Sequence, residues 1–383
     1  MQMGEMIFMK QTTNNHATTK PITSRYNGGL DFWKLVFTFV IVTYHGGQIG
    51  DGKNIFTIGA TAVEFFFMLS GYFMAMSAIK KPPVTPGTLG KETAGFIWHK
   101  MKSILPYYLF GYIISLVIYI YTDLRDVSGL GEAVKKLSLS IPNFFLLSTS
   151  GLEETTVLGM TWYISAMLLA MCFLYPLLRK YKDMYLHVIA PLSAILLAGY
   201  MCQKFGNFKL TYELDIFVTK EILRAVVGIN LGCTIYVVSE KLKKVSFTNV
   251  SRVLLAVVEW GCYLWVLLGM HFMEADYVFI ELFLYFFALT ITTSKQSILG
   301  HIFDHGFIKA TNRFSLALYL CHSACRRVIR YLDPSWGYYQ TIGVFVLFAV
   351  ITAIVCMIVV GLIQAFLKKH EVGIKKVFIR ESV

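Results

Sequence analysis

Lys34 and His45 stand eleven residues apart in GLDFWKLVFTFVIVTYH, a run that is otherwise largely apolar. At about 100° per residue, a helix carries both within about 20° of one face and about 16 Å apart along its axis. An ammonium group holds an anion. A neutral imidazole takes a proton from an attacking hydroxyl or is itself transiently acylated. Ionisable groups cost about 2.5–3.5 kcal/mol each at the centre of a bilayer, so those present in apolar runs face a cavity or a partner. Glu64, in AVEFFFMLSGY, reaches a depth close to that of His45, as do Trp162, Glu281 and His322. A His45–Glu64 pair is therefore expected, with the carboxylate orienting the imidazole and stabilising its cation. Each member also has a plainer use. A histidine can serve as an interhelical hydrogen-bond partner, Trp162 can anchor at the interface, and Glu281, near a helix end, is expected to snorkel.

The elements that must position these groups follow from composition. Of 383 residues, 56% are hydrophobic and only 15% charged, with a mean hydropathy of +0.59. Soluble domains sit near 45–50% apolar and 25% charged, so the reading is an all-α polytopic membrane protein. About ten transmembrane helices are expected, near 30–49, 57–79, 103–121, 160–178, 185–203, 222–238, 253–271, 277–294, 307–329 and 340–367. Segment 137–148 is interrupted by Pro142 and too short to cross, so it should re-enter or lie on the surface. Residues 1–29 read as a flexible cytosolic tail, 30–370 as one transmembrane domain and 371–383 as a second cytosolic tail.

The net charge of +12 would suggest nucleic acid in a soluble protein, but here it falls in the loops. With both termini in the cytosol, inner loops hold roughly twice the Lys and Arg of outer ones. Outer loops carry Asp123, Asp126, Glu132, Glu153, Glu154, Glu213 and Asp215. Lys80, Lys81, Lys91, Lys100 and Lys102 crowd one inner connection. They serve either as topology signals or as a site for an anionic cytosolic ligand, and Lys34 would add to the same field. The seven cysteines form no CxxC, and His301 and His305 lack supporting carboxylates, so neither disulfide framework nor metal site is expected. GxGxxG, GxxxxGK[ST], GxSxG and HExxH are all missing, which argues against nucleotide-driven pumps, flavoproteins, serine hydrolases and zincins.

In order along the chain, these fragments resemble the acyltransferase 3 family of membrane proteins. Lys34 and His45 match its opening basic residue and histidine, and Glu64 through Tyr72 (EFFFMLSGY) its second helix. Lys100 and Pro106-Tyr107 match the approach to its third helix. Ser103 stands where the family usually has a second basic residue, with Lys102 just before it. TWYISAMLLAMCFLYPLL is similar to its Trp-containing fourth helix, and Ser315, Tyr319 and His322 match a late Ser-x-x-x-Tyr-x-x-His pattern.

The resemblance implies an O-acyltransferase in the cytoplasmic membrane. It would take an acyl group, commonly acetyl, from cytosolic acyl-CoA and place it on a hydroxyl of a cell-surface or exported carbohydrate. No tightly bound cofactor is implied; acetyl-CoA or another acyl-CoA is the donor substrate. On that reading Lys34, Lys100 and Lys102 hold the phosphates of coenzyme A, while His45 acts as base or acyl carrier with Glu64 behind it. Trp162, Tyr319, His322 and Ser70 bind the acceptor or steady the oxyanion. Envelope polysaccharide assembly proteins are the partners it suggests, and nucleic acid is not one. Two other readings stay open: an exporter or flippase for a saccharide or lipid-linked precursor with no covalent step, and a structural subunit of an envelope polysaccharide machine.

Overall fold

The computed structural model describes residues 26–49, 55–125, 127, 129–152, 156–206, 218–273, 278–332 and 335–380. The acidic loop residues Asp126, Glu153, Glu154, Glu213 and Asp215 lie outside these, as do tail residues 1–25 and 381–383. The described residues form an all-helical bundle. Its helices are α1 (Gly28–Gly47), α2 (Ala62–Ile79), α3 (Leu89–Thr122), α4 (Leu130–Ser138), α5 (Ile141–Phe144) and α6 (Trp162–Lys180). The turn α7 (Lys182–Met184) passes through a wider helical turn at Tyr185–Ile189 into α8 (Ala190–Phe205). Then come α9 (Lys220–Leu242), α10 (Asn249–Phe272), α11 (Val278–Ser294), α12 (Gly306–Leu332) and α13 (Tyr338–Arg380).

Long helices cover each of the ten apolar segments, and seven of them are long and apolar enough to cross a membrane. The other three are α1, which carries Asp31 and Lys34, the 17-residue α11, and α12, which is studded with Lys309, Arg313, His322, Arg326, Arg327 and Arg330. These polar residues lower the mean hydropathy of α1 and α12; Asp31 and His322 are buried, whereas Lys309, Arg313 and Arg330 are exposed. α3 starts fourteen residues before the segment expected from 103, since KETAGFIWHK continues the helix as an amphipathic extension. α13 likewise runs on to Arg380, past the expected end of its span.

Helices α2 and α6 are central, whereas α8, α10 and α13 turn much of their surface outward, with Leu254, Val257, Leu264 and Leu268 of α10 exposed. The tightest pairing joins α2 and α9. Gly71 meets the carbonyl of Ile229 and Gly232 that of Met68, so closely that a methyl group at either position would overlap backbone. This is small-residue packing of the kind membrane helices use where hydrophobicity offers no drive to associate. The aromatic centre lies beside it: Trp33 stacks on Tyr263 at 3.9 Å, and Phe37 packs against Phe65 at 4.8 Å and Tyr285 at 5.2 Å.

The 137–148 region forms the end of α4, the single turn α5 and a loop packed over α3 and the start of α6. Tyr108 Oη donates to the carbonyls of Asn143 (2.7 Å) and Phe144 (3.0 Å). The buried Asn143 amide donates to Ser148, the Leu158 carbonyl and Thr161, and accepts from the Leu158 N–H. Residues 26–29, expected to belong to a flexible tail, are pinned. Asn27 caps α1 and donates to the Thr292 carbonyl at 2.8 Å, and the Gly28 N–H donates to Asp304 at 2.8 Å. Asp304 also accepts from Lys295 at 2.6 Å and His301 at 2.8 Å. Burial alone would raise the Asp304 carboxyl. The bonds from Lys295, Gly28 and His301 outweigh that and hold it below the ordinary carboxylate range.

Candidate active site

Helices α1 and α12 run parallel, and contacts between them place the two residues that sequence spacing assigned to one face. Lys34 Nζ donates to Asn312 at 3.2 Å and, more strongly, to Asp31 at 2.9 Å. Eleven residues on, His45 stacks on His322, with ring centroids 5.4 Å apart and planes 25° from parallel. Both imidazoles are buried.

His322 Nδ1 donates to the Tyr319 carbonyl at 2.6 Å. Because a carbonyl only accepts, the proton sits on Nδ1 and the lone pair on Nε2, which has no partner among the described residues. His45 Nδ1 donates to Gln48 Oε1 at 3.3 Å. Arg326 lies within electrostatic range of both rings.

The expected His45–Glu64 pair does not form. Glu64 accepts from Arg224 Nε at 2.7 Å, and Arg224 Nη2 lies 2.7 Å from the same oxygen in an ion pair; both side chains are 1% exposed. No hydrogen bond or ion pair among the described residues joins Glu64 to His45. The α2–α9 contact explains it: Arg224 sits one turn before Gly228, on the helix that α2 touches most closely. Trp162 lies under the Arg224 guanidinium at 5.1 Å, a cation–π contact that occupies its face. The remaining link to the imidazoles is Tyr44, edge-on to His45 at 4.9 Å and within electrostatic range of Arg224. Glu281 does not snorkel; it is buried and accepts from Thr61 at 2.7 Å.

Below this layer lies a cavity of about 560 Å³ whose lining includes Lys34, Lys100, Ser103, Arg313, Ser70, Tyr163 and Tyr319. Lys34, Lys100 and Arg313 give it a cationic mouth. Ser70, 3.3 Å from the Tyr163 hydroxyl, and Tyr319 give it hydroxyls towards the imidazoles. Lys102 is exposed and outside the lining, because two residues on from Lys100 is about 200° around the helix. The sequence alone assigns no role to Arg313 or Arg224. Their signal was the one used for Lys34, a full charge inside an apolar run.

A second cavity, also of about 560 Å³, lies further along α12, lined by Ser323, Arg326, Arg327, Arg330, Tyr331, Thr122, Asp123, Thr156, Gly159 and Met160. Tyr319, in the wall of the first, donates to the carbonyl of Met160, in the wall of the second, at 2.6 Å. Tyr319 and Ser323 are about 6 Å apart along the helix axis, and His322 falls between them. Along α12, His322 thus falls between the two linings, although neither lining includes His45 or His322. Among the described residues, no cluster of His, Cys, Asp or Glu could hold a metal ion.

The family model described as an acyltransferase domain, that of acyltransferase 3, matches residues 27–361. The chain belongs to the acyltransferase 3 family. No curated protein and no solved structure matches it. The matched span runs from the cap of α1 into α13, so the imidazole layer, the second cavity and all of the first cavity's lining except Gln364 lie inside the family domain of this membrane acyltransferase. That argues against the exporter and structural-subunit readings.

Proposed function

We propose that this acyltransferase lies in the cytoplasmic membrane with ten helices across it and both termini in the cytosol. It moves an acyl group, acetyl in the simplest case, from cytosolic acyl-CoA to a hydroxyl of a cell-surface or exported carbohydrate. The observation carrying this reading is the pair of cavities on either side of the His45–His322 layer, the inner one mouthed by Lys34, Lys100 and Arg313. Those cations suit the phosphates of coenzyme A, and the hydroxyl-lined upper wall suits the polar arm that carries the thioester.

On this reading His45 takes the proton from the acceptor hydroxyl as its oxygen attacks the thioester carbonyl. The C–O bond forms, the C–S bond breaks, and the imidazolium returns the proton to the departing thiolate, so that coenzyme A leaves as the thiol. His322, stacked on His45 and fixed by Tyr319, limits the room either ring has to turn. Ser70 and Tyr319 meet the acyl end of the donor. Glu64 and Trp162 act from behind, through Arg224, rather than by touching His45.

The test incubates purified protein with radiolabelled acetyl-CoA and surface-glycan extracts. Label should pass to glycan and fall about 10²–10⁴-fold in His45→Ala. Transfer that persists in a normally inserted His45→Ala protein rejects this assignment, and saccharide movement with no need for coenzyme A rejects the reaction.

A further inference from the structure

The second cavity carries more positive charge than its architecture uses. Arg327 is committed: it donates to the carbonyls of Val157 (2.9 Å) and Thr156 (3.1 Å), lies 3.6 Å from Asp123, and covers the Tyr119 ring at 5.2 Å. Arg326 and Arg330 are different. Neither makes a hydrogen bond or ion pair among the described residues, and Arg326 Nε is buried without an acceptor. They stand four residues apart on one face of α12, where like charges repel. Among the described residues, the one carboxylate in the lining, Asp123, already faces Arg327. Two guanidinium groups, Arg326 half-buried and Arg330 exposed at the rim, with no counter-charge among the described residues, are an arrangement an anion would relieve.

We propose that the second cavity is the acceptor site and that it selects a saccharide bearing an acid group, carboxylate or phosphate, held by Arg326 and Arg330. The other lining groups suit a sugar: Thr122, Thr156, Ser323 and Tyr331 offer hydroxyls, and Tyr331, packed edge-on to Tyr121 at 5.6 Å, offers an aromatic face. Arg326 is one turn beyond His322, so an acid group held there sets a neighbouring hydroxyl against the imidazole layer. The phosphates of coenzyme A do not compete, because their cations belong to the first cavity, on the far side of Tyr319. This inference rests on the acyl-transfer reading for the word acceptor, but the binding it describes is measurable without any transfer.

The experiment measures binding of three probes to the purified full-length protein: a neutral glucose tetrasaccharide, a glucuronate tetrasaccharide and a glycerol-phosphate oligomer. The acidic probes should bind more tightly than the neutral one and weaken with added salt. Arg330→Gln should weaken them about tenfold, Arg330→Lys should recover part of that loss, and coenzyme A binding should not change. Preference for glucuronate or for glycerol phosphate distinguishes the source of the acid group. Neutral and acidic probes binding alike, or Arg330→Gln leaving a folded protein with unaltered affinity, would overturn the proposal. Acidic probes that bind through Arg330 but are never acylated keep the site and overturn the transfer reading. Acylation confined to neutral acceptors keeps the transfer reading and overturns this one.

Discussion

Among the described residues, two Glu–Arg pairs occupy the bundle and are built differently. Glu92 and Arg179, at the α2–α3 end, form a saturated network. Arg179 Nε meets Glu92 Oε1 at 2.7 Å and Nη2 meets Oε2 at 3.2 Å, while its remaining donors reach the carbonyls of Ala78 and Pro82. Tyr175 and Lys81 complete the carboxylate at 2.8 and 3.2 Å. Glu64 and Arg224, in the interior, share one hydrogen bond. Glu64 Oε2 and Arg224 Nη1 and Nη2 have no hydrogen-bond partner among the described residues. The first pair behaves as a fastener, with every polar atom used. The second keeps unspent hydrogen-bonding capacity beside the imidazole layer, where stability alone would favour an apolar pair of the same volume.

The contrast is open to breaking, and the largest effect should come from the interior pair. Glu64→Ala strands a buried guanidinium and should cost about 3–5 kcal/mol, read as loss of folded protein in thermal unfolding in detergent. Glu64→Leu combined with Arg224→Met should recover most of that stability yet transfer no acyl group. A double variant that is both stable and active would show that the interior pair is another fastener. The saturated pair should give the opposite profile: Glu92→Gln loses about 1.5–3 kcal/mol, while the turnover of the protein that remains folded is unchanged. A fall in turnover would erase the distinction.

The smallest effect concerns Asp304. Its carboxyl is held below the ordinary range, so the stability it adds is complete above about pH 4 and is lost as the pH falls through its folded-state value. Asp304→Asn should cost about 1 kcal/mol at neutral pH and flatten that acid slope in unfolding scans. An unchanged slope would remove Asp304 as its cause.

The helices were legible because lipid leaves few alternatives: a long apolar run must satisfy its backbone within itself. The start of α3 was not, because its first turns are amphipathic and carry no lipid signal. The shared face of Lys34 and His45 was legible because intrahelical spacing is rigid. Contacts between helices were not. Glu64 meets Arg224 across 160 residues of sequence, and no periodicity within α2 encodes that. The small residues at Gly228 and Gly232 marked a close-packed face of α9, which is where a partner for Glu64 could have been sought. Lys102 shows the reverse error, since nearness in sequence to Lys100 put it on the wrong side of one helix.

The ladder between α1 and α12 also bears on biosynthesis. Lys34 and His45 leave the ribosome well before Asn312 and His322, which fix them and come 278 and 277 residues later. A nascent chain halted before α12 therefore holds the imidazole without its stacking partner and the ammonium without its amide. The site is completed only once α12 has been made, so a polypeptide in the membrane that still lacks α12 has no assembled centre with which to squander activated acyl groups.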